Sequence, residues 1–96
     1  MHTVIRNYSG SGARELFDLL EKRTSDIEPL MRDVPGFVSY TLARTAEGGF
    51  SVTTCNDKAG VDESVKRAKE WIAENAGSIG ASAPAISEGT VLLHAK

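Results

Sequence analysis

The chain has 96 residues, of which 41% are hydrophobic and 25% charged, and a formal net charge of −2. That length makes one domain, residues 1–96, near the small end of what buries its own core. The slight acidic balance offers no general attraction to nucleic acid or to an anionic membrane. The single cysteine, Cys55, excludes an internal disulfide and a cysteine-based metal cluster. No apolar run approaches membrane-spanning length and the N-terminus lacks a signal-peptide core, so a cytoplasmic location is expected.

His2 to Tyr8 reads as a first strand, with the β-branched run Thr3-Val4-Ile5 suited to a pleated sheet. Ser9-Gly10-Ser11-Gly12 is a turn that offers helix caps. From Ala13 to about Val34, apolar residues including Leu16, Leu20, Ile27 and Met31 recur at helical spacing. Pro29 interrupts this stretch, and Ser25 with Glu28 has the spacing of a capping box. A break near Thr24–Ser25 is therefore expected, with a restart that leaves Pro29 within or just past a first turn.

Val34-Pro35-Gly36-Phe37 ends the helical pattern, because Pro35 cannot continue a helix and biases Val34 toward extended angles. Phe37 to Arg44 and Gly49 to Cys55 read as strands joined by a short Gly-containing hairpin loop. Asn56 or Asp57 caps a second helix running to about Ala76, with Val61, Val65, Ala68 and Ile72 as its apolar stripe. Gly77 to Ala85 is a connector of small residues, with a lid as the alternative; its glycines lack phosphate-loop spacing. Ile86 to His94 reads as the last strand.

The order is βαββαβ, an α+β ferredoxin-like arrangement with a four-stranded antiparallel sheet, strand order 4-1-3-2, and the helices on one face. The other face needs a cover. Val91-Leu92-Leu93, Phe37-Val38 and Val4-Ile5 are consecutive apolar residues, so both faces of their strands carry apolar side chains. A homodimer through that open sheet face buries the patch on both copies at once.

Several segments together resemble a known family. They are Pro29-Leu-Met-x-x-Val-Pro-Gly-Phe37, Tyr40, Gly48-Gly49, Asn56-Asp57-Lys58-Ala59-Gly60, Ala68-x-x-Trp71-Ile-x-Glu-Asn75 and Ile86-Ser-x-Gly89-x-Val91. Over nearly its whole length the chain is similar to the antibiotic-biosynthesis-monooxygenase-like family of dimeric α/β barrels. The resemblance implies a dimeric barrel with a pocket between helices and sheet. It implies no single activity, since the superfamily spans cofactor-free oxygenases, haem degraders, isomerases and proteins without known activity. Trp71 matches a recurring tryptophan on the second helix, and Asn7 resembles a first-strand asparagine of haem-degrading members. Those members also carry a histidine near the end of that helix; here the segment reads Asn75-Ala76-Gly77-Ser78, which argues against haem.

The candidate site residues are Asn7, Tyr40 and Trp71. Trp71 is either a wall that stacks on an aromatic ligand or a core residue beside Ile72. Asn7 either polarises a substrate oxygen or starts the Ser-Gly turn. Tyr40 either donates into a pocket or packs with its hydroxyl at an edge. Arg6 and Arg44 are read as surface or dimer ion pairs, with anion binding as the alternative. Cys55 is read as a small buried hydrophobe. His2 and His94 lack the further ligands of a metal site, so no metal and no cofactor is expected. The functions these residues admit are a cofactor-independent monooxygenase on a small aromatic quinol or anthrone, a non-catalytic small-molecule binder, or, third, a haem protein. A pocket lined by Trp71 and Tyr40 with no polar convergence favours the second.

Overall fold

The computed structural model describes residues Met1–Lys96. Four strands form one sheet: β1 (His2–Tyr8), β2 (Phe37–Thr45), β3 (Gly48–Cys55) and β4 (Ala85–Thr90). Three helices accompany them: α1 (Ala13–Lys22), α2 (Thr24–Arg32) and α3 (Lys58–Asn75). The strand order is β2-β3-β1-β4 with every pairing antiparallel, the ferredoxin-like order expected from the pattern. No helix is long and apolar enough to cross a membrane.

The long helical stretch is divided in two, as Pro29 and its surroundings suggested, but the break falls at Arg23. The Ser25–Glu28 capping box does not form. Helix α2 starts one residue earlier, at Thr24, with no side-chain cap, and Pro29 lies inside it. The neighbouring charges take other partners instead: Arg23 pairs with Asp26, and Glu28 with Arg32.

The Val34–Phe37 turn joins the helices to the sheet. Phe37 N–H donates to Val34 O at 3.1 Å, and Gly36 sits at φ +74°, the left-handed angle a proline-glycine turn of this type requires. Asn56 N–H then donates to Gly36 O at 2.8 Å, tying the start of α3 to the same turn. Val34 thereby closes a small core with Val4, Cys55 and Val61. The larger core runs through Tyr8, Leu16, Phe17, Leu20, Ile27, Met31 and Ala68. Helix α3 is capped by Asp57, whose carboxylate accepts from Gly60 N–H at 3.1 Å.

Two strand expectations need correction. The last strand ends at Thr90, not His94. Thr90 pairs with His2, and Val91 N–H donates to Met1 O. Leu92 and Leu93 are off the sheet and 97% and 85% exposed. His94 lies beyond the sheet too, so β4 does not carry it alongside His2, whose Nε2 lies 3.5 Å from Glu88 instead. Val38 is the extra residue of a bulge, since Phe37 pairs with Cys55 and Ser39 with Thr54. The open face owes its apolar character to Ile5, Phe50, Val52 and Ala43, which the register brings to one side.

Leu16 is fully buried against the sheet, so Leu16→Ala is expected to cost about 2–5 kcal/mol in urea unfolding. Gly36→Ala, forced into the left-handed region, is expected to cost about 1–2 kcal/mol by the same measurement.

Candidate functional site

Alternation along β1 decides which side chains reach the interior. Val4, Arg6 and Tyr8 point toward the helices and are buried, while Ile5 and Asn7 point to the open face and are exposed. Tyr40 and Leu42 of β2, and Ser51 and Thr53 of β3, share the helix-facing side with Arg6.

Arg6 is 3% exposed, which is unusual for a cation. Its Nε donates to Ser51 Oγ at 3.0 Å, and its Nη1 lies 3.5 Å from Ser64 O on α3. It makes no ion pair; every arginine or lysine with a carboxylate partner lies elsewhere. A buried charge without an opposite charge is costly. Five guanidinium N–H groups have few protein acceptors, leaving donor capacity for something else.

Two cavities meet at Arg6. The first lies between α2, α3 and the sheet and is lined by Tyr8, Ile27, Met31, Tyr40, Leu42, Ser51 and Trp71 besides Arg6. Its volume is about 30 Å³, room for a water or two. It adjoins an open cleft of about 350 Å³ between α2 and β2 that shares Ile27, Tyr40 and Leu42 with it. The second cavity, about 260 Å³, lies on the far side of Arg6, Tyr8 and Ile72, under the segment Ala81–Pro84.

The Tyr40 phenol pKa is pushed above its ordinary 10.0, chiefly by burial, although Arg6 and the approach of its hydroxyl to Ser51 and Arg6 oppose the rise. Burial also raises Tyr8, again opposed by Arg6. Both phenols thus stay protonated at neutral pH and serve as hydrogen-bond donors. No carboxylate lines either of the two cavities that meet at Arg6. The site donates hydrogen bonds and positive charge, and contains no side chain suited to act as a base.

Trp71 and Tyr40 come together on the first cavity. The guanidinium of Arg23, at the α1–α2 break, covers the Trp71 ring at 5.3 Å from its centroid and fixes its outer face. Asn7 does not join them. It pairs with Phe50 and Ala85 on the opposite face of the sheet, because one residue along a strand reverses the side-chain direction. The interior position belongs to its neighbour Arg6, read from sequence as a surface or dimer residue. An arginine between Ile5 and Asn7 in a strand that must alternate was the available signal. Arg44, by contrast, does form surface ion pairs, with Asp18 and Glu21. Cys55 is fully buried, and burial followed by the nearby Asp57 carboxylate raises its thiol pKa, so it is a packing residue.

No protein-family profile matches the chain, and no curated protein matches it in sequence. Solved structures do. SnoaB, a cofactor-independent oxygenase from Streptomyces nogalater, superposes with a TM-score of 0.65 at 18% identity over 97% of this chain and 94% of its own. The haem degrader MhuD from Mycobacterium tuberculosis, with two haems in its active site, gives 0.63 at 20% identity over 99% and 98%. A dimeric ferredoxin-like protein from an uncultured marine organism gives 0.63 at 11% identity over 99% and 95%. The chain has the ferredoxin-like fold of these proteins. At these identities the likeness is one of fold, and chemistry has to be argued from the residues.

Replacing a buried, unpaired cation by an apolar side chain of similar length removes its desolvation cost. Arg6→Met is therefore expected to raise stability by about 1 kcal/mol or more in urea unfolding. Tyr8 and Tyr40 hold their protons to higher pH folded than unfolded, so their contribution is complete below about pH 10 and lost as pH rises through the folded values. Thermal melts across alkaline pH are expected to show that decline, and Tyr40→Phe to lessen it.

Proposed function

We propose that the protein binds a small aromatic compound beside Arg6 and acts as a cofactor-independent monooxygenase on a quinol- or anthrone-like substrate. The observation that carries this reading is the convergence of Arg6, Ser51 and the Tyr40 hydroxyl on a cavity walled by Trp71. A purely apolar pocket would favour storage or transport. Three polar groups gathered beside one cavity favour stabilisation of an anion.

Electron-rich phenols and anthrones react with dioxygen once deprotonated. One oxygen atom enters the ring carbon and the other leaves as water, so the protein's task is to bind the anion and hold it in place. Arg6 offers that anion a fixed positive charge in a site where water does not screen it. The protonated Tyr40 hydroxyl donates to the same oxygen, Trp71 walls the inner end of the site, and the adjoining cleft of about 350 Å³ has room for the ring. With no base in the cavity, the substrate's own ionisation delivers the reactive form, and Arg6 draws that ionisation to lower pH. A non-catalytic binder of the same aromatic anion is the second reading, favoured by that missing base. Haem fits poorly, since the segment that ends α3, Asn75-Ala76-Gly77-Ser78, carries no histidine.

The same proposal includes assembly as a homodimer through the open sheet face. Ile5, 40% exposed, pairs across the strands with Val52, and Phe50 and Ala43 pair beside them, forming a continuous apolar strip. The dimeric marine protein of the same fold supports it.

Oxygen uptake with a panel of quinols and anthrones tests the activity. Uptake above the spontaneous rate is expected, reduced at least about a hundredfold in Arg6→Met if the anion is stabilised as argued, and reduced also in Trp71→Ala. Tight binding without uptake would favour the second reading. Light scattering is expected to give about twice the 10.3 kDa chain mass, falling to one chain in Ile5→Asp or Val52→Asp, because burying an unpaired carboxylate costs several kcal/mol.

A further inference from the structure

Arg6 also borders a second cavity, on its β4 side. We infer that the cavity of about 260 Å³ under Ala81–Pro84 is a ligand site for a monoanionic acid with a compact apolar body, such as an aryl carboxylate. The inference rests on the reading that Arg6 receives a ligand's anion, and it assigns a carboxylate ligand to the β4 side of Arg6 as well.

The walls divide by chemistry. Leu16, Val65, Ile72 and Ile86 supply an apolar body, and Ile86 is itself half-exposed for want of a cover. The charged groups are Arg6 and Lys69, both cations, with no aspartate or glutamate among the lining residues. Arg6 is nine-tenths buried and more, and no carboxylate of the protein neutralises it. An anion entering here gains a charge-assisted, fork-shaped contact that suits a carboxylate, and Lys69 stands at the rim to attract it. Neutral ligands gain only the apolar contact.

The cover is built to lie close and to hold lightly. Ser82 N–H donates to Ser11 O at 3.0 Å, the backbone bond that ties the segment to the β1–α1 turn. Gly12 makes the close approach feasible, since a Cβ there would stand 2.8 Å from Ala81 Cα. Gly80, at φ +67°, turns the chain into the cover, and the small side chains of Ala81 and Ala83 leave the space beneath unfilled. Larger residues at those positions would close it.

Benzoate is the probe, with benzamide as its uncharged match. Titration calorimetry on the intact chain is expected to show benzoate binding with benzamide weaker by about tenfold or more. Arg6→Met is expected to abolish the preference, and Lys69→Met, on the surface, to weaken benzoate severalfold without unfolding risk. Ala83→Trp is expected to reduce benzoate binding more than Trp71→Ala does. On the wild-type protein, benzoate ring protons are expected to show NMR contacts with the methyls of Ala81, Ala83 and Ile86. Contacts with Ile27 and Met31 instead, with Ala83→Trp unaffected, overturn this site while leaving the Arg6 reading intact. Equal binding of benzoate and benzamide, or benzoate binding unchanged in Arg6→Met, overturns both. Absence of benzoate binding to the wild-type chain overturns the site proposed here.

Discussion

The phase of β1 governs everything else in this molecule. The strand is central, bonded to β3 on one side and β4 on the other, so its seven residues are held in register from both edges. Side chains in a regular strand alternate, and a slip of one residue would exchange the two faces. In the observed phase Val4, Arg6 and Tyr8 face the helices, and Ile5 and Asn7 face away. Burying Val4 and Tyr8 is what holds that phase, since both join the core. Arg6 lies between them and is carried inside with them.

The cost of that placement is softened without being removed. Ser51 accepts from Arg6, the Ser64 carbonyl lies within reach, and the Tyr40 and Tyr8 phenols lie nearby as neutral dipoles. None of these is a counter-charge. Stability alone would favour a methionine or leucine at this position, given its apolar surroundings. A binding site that retains an unpaired cation trades some stability for affinity toward an anion, a common pattern where function and folding compete. The flanking cavities and the lightly tethered Ala81–Pro84 cover belong to the same arrangement, because a charge without a partner has use only where a partner can arrive.

The outward phase has its own consequence. Ile5, Phe50, Val52 and Ala43 form a strip on the face that the helices leave bare, so the alternation that builds the interior also builds the surface proposed for dimerisation. The apolar run Val91-Leu92-Leu93, which looked like part of that surface, stands beyond the end of β4, with Leu92 and Leu93 exposed. Of the residues that first pointed to a cover, Ile5 remains on this strip, joined there by Phe50, Val52 and Ala43.

Local chemistry alone was enough to read the element order, the turn at Pro35–Gly36, a cap at Asn56 or Asp57 and the division of the first helical stretch. Each depends on residues close in sequence whose backbone preferences do not need a neighbour. The ferredoxin-like topology followed, because few arrangements accommodate that order. Trp71 and Tyr40 were legible as candidates on residue type, and they do meet. Four things waited for the tertiary structure: that Arg6 rather than Asn7 faces inward, that the last strand stops at Thr90, that Val38 is a bulge, and that the larger cavity lies under Ala81–Pro84. All four are matters of pairing between distant segments. A strand's alternation is visible in its own residues, but which half of it is buried, and how far its ladder extends, depends on the partners alongside.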